Sequence, residues 1–253
     1  MTAAMQPPVR IVGSYISPYV RKVLAVLDLK DIPYEIDPIV AFFADDEFSK
    51  LSPLRRVPVL LDDQIVLTDS TVICEYLDER HPAPPLLPRG AAARARARWL
   101  EEYADTRMGE VFIWRLFNQH VIQRFVWGQD PDPEVLRRTL DEDIPHVLDY
   151  LEAQLPADGF IFDELSLADI AIAAPLRNAA FVRYRVDPSR WPRTAAFADR
   201  VHALPCFLKL RPFEELSMRT PIASHRDALH QLGAPLTGTT FATATPRRGM
   251  MRI

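Results

Sequence analysis

Ser52-Pro53-Leu54-Arg55-Arg56-Val57-Pro58-Val59-Leu60, running on through Leu61 to Thr68-Asp69-Ser70-Thr71, is the stretch on which the fold turns. Val57 to Leu61 reads as an apolar strand, with Pro58 near its start, where a missing N–H is tolerated. Asp62-Asp63 reads as a turn, and Ile65 to Leu67 as the hairpin partner. Asp69-Ser70 opens a helix whose apolar positions are Val72, Ile73, Tyr76 and Leu77. A cis Val57–Pro58 bond would turn the Val57 N–H and C=O outward toward a peptide-like ligand. Such bonds are only roughly 5% of X-Pro bonds, so the dipeptide alone says little.

Upstream, Val9 to Ser14 reads as a short buried strand. Ser17-Pro18 then opens a helix, with serine suited to the N-cap and proline to the first helical position. Val20, Val23, Leu24 and Leu27 form one apolar stripe. Asp31-Ile32-Pro33 ends the helix, and Tyr34 to Ile39 is a second strand. A strand-helix-strand unit of this kind implies parallel pairing. Ala41 to Leu54 is irregular, with a short helix. Taken alone, Ser17 and Asp69-Ser70 are adequately explained as helix caps. Free N–H groups at a helix start also attract carboxylates. With the Ser70 hydroxyl as donor and Asp69 as acceptor, that corner suits a ligand bearing an α-carboxylate and an α-amine.

Downstream, His81 to Gly90 is proline-rich and cannot continue a helix. Beyond it the pattern is helical. Ala91 to about Val126 is a long helix, and Pro133 to Leu155 is a second, interrupted or kinked at Pro145. Ser166 to about Val182 is a third, kinked at Pro175. Pro192 to about Leu204 and Pro205 to about Leu216 follow. Ser217 to Ile253 loses periodicity and reads as a loose extension. The expected organisation is an α/β domain over 8–82, an all-α domain over 91–216 and an irregular extension over 217–253.

The 253 residues carry 30 basic and 34 acidic side chains, a formal charge of −4. Lys and Arg are not concentrated as in a nucleic-acid groove, so no nucleic acid is expected. Cys74 and Cys206 form no CxxC pair, and the six histidines lack metal-ligand spacing, so neither a disulfide framework nor a metal is expected. No apolar run reaches the length of a membrane span. MTAAMQPPVR has no signal-peptide core. The expected location is the cytoplasm, with no membrane partner.

The joint pattern of Ser17-Pro18, Val57-Pro58 and Asp69-Ser70, in the order βαβ then ββα, resembles the glutathione transferase family. The likeness extends from Val9 to roughly Phe213. It implies an α/β plus all-α protein: a thioredoxin-like N-terminal domain followed by an all-helical C-terminal domain. Leu165-Ser166-Leu167-Ala168-Asp169-Ile170 is similar to the family's Ser/Thr-x-x-Asp capping box. It assigns Ser166 and Asp169 to folding, and Pro58 likewise to structure. The resemblance implies glutathione as co-substrate, without a metal. Ser17 would stabilise its thiolate, with Ser14 as rival hydroxyl and Tyr19 less well placed. The Val57 main chain would pair with the cysteinyl part. Asp69 and Ser70 would take the γ-glutamyl end, and Arg56 would meet the glycine carboxylate.

The partner would be a small electrophile in an apolar pocket between the two halves. Candidate wall residues are Tyr103, Arg107, Met108, Glu110, Phe112 and Trp114, although apolar members of this set are more simply core. Related omega-like proteins carry Cys where Ser17 stands, which argues against a glutaredoxin-like reductase. Arg55 occupies a position where many members have Gly, and Asp69 one where Glu is usual. A glutathione-dependent isomerase or dehalogenase, or a non-catalytic glutathione-binding protein, are the alternatives to conjugation. The family's two-fold dimers imply a homodimer through Ser70 to Arg80 and Ala91 to Tyr103. In it, Arg94 and Arg98 would meet Asp78 and Glu79 of the second copy.

Overall fold

Strand β1 (Val9–Val12) runs into helix α1 (Pro18–Leu29), which returns the chain to β2 (Tyr34–Asp37). The structure, a computed structural model, describes residues 8–248. The far end of the expected tail and most of MTAAMQPPVR lie outside them. The chain divides into two compact units, one of residues up to Pro84 together with those from Lys209 onward, the other Pro85–Leu208.

In the first unit, β3 (Val59–Leu61) and β4 (Val66–Thr68) complete a sheet of order β2-β1-β3-β4. β1 pairs parallel with β2, as the helical crossover demands, and antiparallel with β3, which hairpins back to β4. Between β2 and β3 lie a 3-10 turn, Ala41–Phe43, and α2 (Asp46–Leu51), capped by Asp45. α3 (Ser70–Arg80) follows β4. The stripe Val20, Val23, Leu24 and Leu27 is fully buried. So are Arg21 and Lys22, because α1 is covered on more than one side. At its C-terminal end, buried Lys30 pairs with Asp78 at 2.8 Å and donates to the carbonyls of His81 and Pro84. Asp78 is thus already paired within its own chain.

In the second unit, α4 (Ala91–Tyr103) continues through a π-helical stretch, Ala104–Ile122, into α5 (Gln123–Phe125). Then come α6 (Pro133–Arg138), a π-helical turn, Thr139–Asp143, and α7 (Ile144–Gln154). α8 (Leu167–Phe181), α9 (Pro192–His202) and α10 (Pro205–Leu208) complete it. The α-helical pattern gives way to the π-helical turn just before Pro145, which sits in the first turn of α7. α8 is buried along nearly its whole length and contains Pro175. The buried Asp169 carboxylate accepts the Ser166 N–H at 2.8 Å, the Ser166 hydroxyl at 2.6 Å and the Ile161 N–H at 3.0 Å. Burial raises its pKa, against the pull of those donors.

The C-terminal stretch differs from expectation. α11 (Arg211–Arg219) and α12 (His225–Gln231) are helical and belong with the sheet unit, not with the helices that precede them in the chain. Buried Arg21 on α1 forms an ion pair with buried Glu214 on α11, and Tyr15 stacks on Phe213 at 4.9 Å. Beyond α12, Leu236 bridges Ile36 in parallel fashion, so the chain lies along the outer edge of β2. Lack of hydrophobic period misleads here, because residues 235–247 are tied down by backbone pairing, which periodicity does not register.

Candidate functional site

Register places the three motifs. Val12 pairs with Asp37 on one side and Val59 on the other, and Val59 pairs with Thr68. The row Asp37–Val12–Val59–Thr68 therefore crosses the sheet at one end. From that end emerge the β1–α1 loop with Ser14 and Ser17, the Val57-Pro58 pair entering β3, and Asp69-Ser70 leaving β4. The structure brings all three to the same edge.

Gly13 is what allows the first two to meet. Its φ is +150°, and a Cβ placed there would lie 2.5 Å from Val20 Cγ2 and 3.0 Å from Val57 Cβ. The α1 entry and the Val57 corner thus close over a residue without a side chain. Sequence reasoning placed Gly13 inside a strand without assigning it a role; a lone glycine at a strand end is the signal for such close approach. A second tie joins α1 to the start of α3, where Lys22 Nζ donates to Thr71 Oγ1 at 3.2 Å.

Ser17 is the N-cap of α1 and half-buried, its Oγ accepting the Val20 N–H at a long 3.4 Å. A hydroxyl that accepts in this way keeps its proton to donate. Ser14 is buried, and its Oγ accepts from Ile16 N–H at 3.4 Å. Tyr19, one residue into the helix, is half-buried. The Val57–Pro58 bond is cis, and Val57 is half-buried ahead of β3. Arg56 is exposed, with its N–H and C=O both bonded to the Ser52 hydroxyl at 3.0 and 2.9 Å.

Asp69 has φ 79°, unusual for a side-chain-bearing residue. Its Oδ1 accepts from Thr71 and Val72 N–H at 2.9 and 3.2 Å, capping α3, while Ser70 is buried at the first helical position. Arg55 also keeps a positive φ, 51°. Its guanidinium donates to the carbonyls of Ala44 at 2.6 Å and Asp45 at 3.1 Å.

The wall candidates of the helical unit are mostly engaged within it. Met108 and Phe112 are fully buried core. Arg107 and Glu110 close a ring of charges with Arg115 and Asp143. Tyr103 packs on Tyr150 with ring centres 4.4 Å apart, and burial pushes its hydroxyl pKa up to about 12. Trp114 is half-buried. Cys74 and Cys206 are buried free thiols. Among the described residues, no three His, Cys, Asp or Glu gather as a metal site, and no helix is long and apolar enough to cross a membrane.

Residues 11–85 match the profile of the glutathione S-transferase N-terminal domain, and residues 92–200 that of its C-terminal domain. This chain belongs to the glutathione transferase family. It is 34% identical over 177 residues to the uncharacterized GST-like protein YibF of Escherichia coli (strain K12), covering 69% of this chain and 83% of that one. It is 32% identical over 171 residues to a probable maleylacetoacetate isomerase of Vibrio cholerae, covering 66% and 75%. A glutathione S-transferase structure from Rhodospirillum rubrum F11 superposes with a TM-score of 0.76 at 27% identity, covering 87% of this chain and 99% of that one. The family membership and the βαβ-ββα unit with its helical companion agree with the resemblance read from the motifs.

Proposed function

We propose that this glutathione transferase family member binds glutathione at the corner formed by Ser17, Val57-Pro58 and Asp69-Ser70, and conjugates its thiolate to an apolar electrophile. The reading is carried by the residue row that delivers all three motifs to one end of the sheet. The Val57 main chain pairs with the cysteinyl unit. Asp69 and Ser70 hold the γ-glutamyl end, and Arg56 meets the glycine carboxylate. A buried serine and a capping carboxylate at a helix start suit a group with both an ammonium and a carboxylate. Ser17 donates its hydroxyl proton to the sulfur.

The magnitudes are consistent with this assignment. A free thiol titrates near ~8.5, leaving about 3% thiolate at pH 7. Lowering the pKa by about two units raises that share to roughly 75% and needs about 2.7 kcal/mol. One charge-assisted hydrogen bond and a helix N-terminus are of that order. The thiolate attacks an electrophilic carbon, forming a thioether with or without a displaced leaving group. Ser166 and Asp169 act in folding. The protein works as a homodimer in the cytoplasm.

Isothermal titration with glutathione, followed by chlorodinitrobenzene conjugation, tests the reading. Ser17→Ala should lower turnover about tenfold or more, since one hydrogen bond to an ion is lost, while glutathione binding changes less. Unchanged turnover would sink Ser17 as the thiolate donor. Isomerisation is the second reading, favoured by the similarity to the Vibrio cholerae protein. It uses the same thiolate, with the sulfur adding and leaving again, so glutathione is not consumed. Turnover of a maleyl-type substrate without loss of thiol would select it.

A further inference from the structure

The outermost partner in the residue row is Asp37, and it is not an ordinary strand end. Its carboxylate is buried, yet it faces the C-terminal segment. Oδ2 accepts the Phe241 N–H at 2.8 Å, and Oδ1 accepts from Arg226 of α12 at 3.1 Å. The backbone carbonyl of Asp37 takes the Gly13 N–H at 2.9 Å. One residue therefore joins the C-terminal segment to the glycine on which the site closes.

The segment then crosses the 3-10 turn and the start of α2. Phe241 C=O accepts the Asp45 N–H at 2.9 Å, and Ala242 bridges Ala44 in antiparallel fashion. Thr243 N–H and Arg247 N–H donate to the Phe43 and Phe42 carbonyls, each at 2.7 Å. Between these backbone ties the Phe241 ring turns inward. It lies 6.5 Å from the Phe48 ring and packs on the cluster of Val12, Ile39, Ala44, Phe48 and Val59, against which the half-buried Val57 also packs. On the opposite side, Arg55 holds the carbonyls of Ala44 and Asp45.

We propose that Phe241 is a positioning residue for the glutathione site, fixing Val57 and the α2 segment from beneath through this shared apolar cluster. The inference rests on the glutathione-binding reading above. Phe241 touches no ligand. It sets where the Val57 main chain stands by supporting, through Phe48, the cluster on which Val57 also packs. A ligand that pairs with one main-chain N–H and C=O is sensitive to small displacements of that residue. The effect therefore falls on glutathione affinity more than on the reactivity of the bound thiolate.

The test uses the full-length protein with Phe241→Ala and Phe241→Leu. Expected for Phe241→Ala is a rise of about fivefold or more in the glutathione Kd by titration calorimetry, and a matching rise in KM, a loss of ~1 kcal/mol in binding as the Val57 main chain shifts. The value of kcat at saturating glutathione falls less. Phe241→Leu restores most of the affinity. Hydrogen exchange should quicken at residues 42–57 but not in the helical unit, a readout that needs no ligand. An unchanged Kd in folded Phe241→Ala overturns the proposal, as does an equal loss of affinity in Phe241→Leu. If Phe241→Ala does not fold, Phe241→Val takes its place, and a wild-type Kd in that folded variant overturns the proposal. Wild type failing to bind glutathione, with exchange still quickened locally by Phe241→Ala, would reject the glutathione reading and leave only a packing role for the ring.

Discussion

Gly13 shows how much a single residue can decide. Its missing side chain lets α1 and Val57 approach, and its φ of +150° lies where L side chains rarely go. Gly13→Ala should therefore destabilise the fold by about 2 kcal/mol or more, from backbone strain and overpacking together. It should also weaken glutathione binding, because the added Cβ pushes on Val57; thermal melting and calorimetry on the same sample check both. The N-caps at Ser17 and Asp69 were legible in the sequence because capping follows local rules. Positive φ at Arg55 and Asp69 was not legible, since neither residue type announces it. At Arg55 the side chain explains the choice: its guanidinium reaches carbonyls that glycine would leave to other donors.

Elements were readable wherever their period is simple. The α1 stripe and the Ser166–Asp169 box emerged as the sequence indicates. Asp169→Ala should cost about 3 kcal/mol, because the Ser166 and Ile161 N–H groups lose their acceptor at a buried helix start; chemical denaturation measures it. The other faces of α1 were not readable. The apolar stripe says nothing of Arg21 and Lys22, yet both are buried, Arg21 against Glu214. No local signal links positions so distant in the chain. Removing one partner of a buried pair leaves the other charge uncompensated, so Glu214→Ala should destabilise by about 3–5 kcal/mol. A melting temperature unchanged from wild type would contradict the pairing.

At the scale of the whole molecule, the largest departure from expectation is the route of the chain after Leu208, which returns to the sheet unit. Composition suggested a loose tail because Thr, Pro and Arg do not build a core. Side chains hold α11 and α12 to the sheet unit, through Arg21–Glu214, Tyr15–Phe213 and Asp37–Arg226, while residues 235–247 are tied by main-chain pairing to β2 and to Phe42, Phe43 and Asp45, links that composition does not reveal. One histidine makes this part of the fold sensitive to acid. His225 is buried, its Nε2 against the Thr220 carbonyl at 2.9 Å, and burial holds its pKa below 6.5 although the Thr220 and Ser217 carbonyls oppose this. The unfolded chain binds the proton more readily, so this contribution to stability is present above about pH 6.5 and is lost as pH falls toward the folded value. Melting temperature should drop between pH 7.5 and 5.5 by more in wild type than in His225→Gln.

The Leu236–Ile36 bridge also bears on behaviour in a crowded solution. An outer strand with unsatisfied amides and carbonyls is a template on which a foreign chain can grow. Here residues 235–237 of the same chain occupy that template, with Ile36 N–H given to the Pro235 carbonyl and Ile36 C=O accepting from Thr237 N–H. The polypeptide thereby shields itself from edge-on aggregation at β2, and a truncation long enough to remove residues 235–237 would bare that edge after it had already taken Phe241 from the apolar cluster.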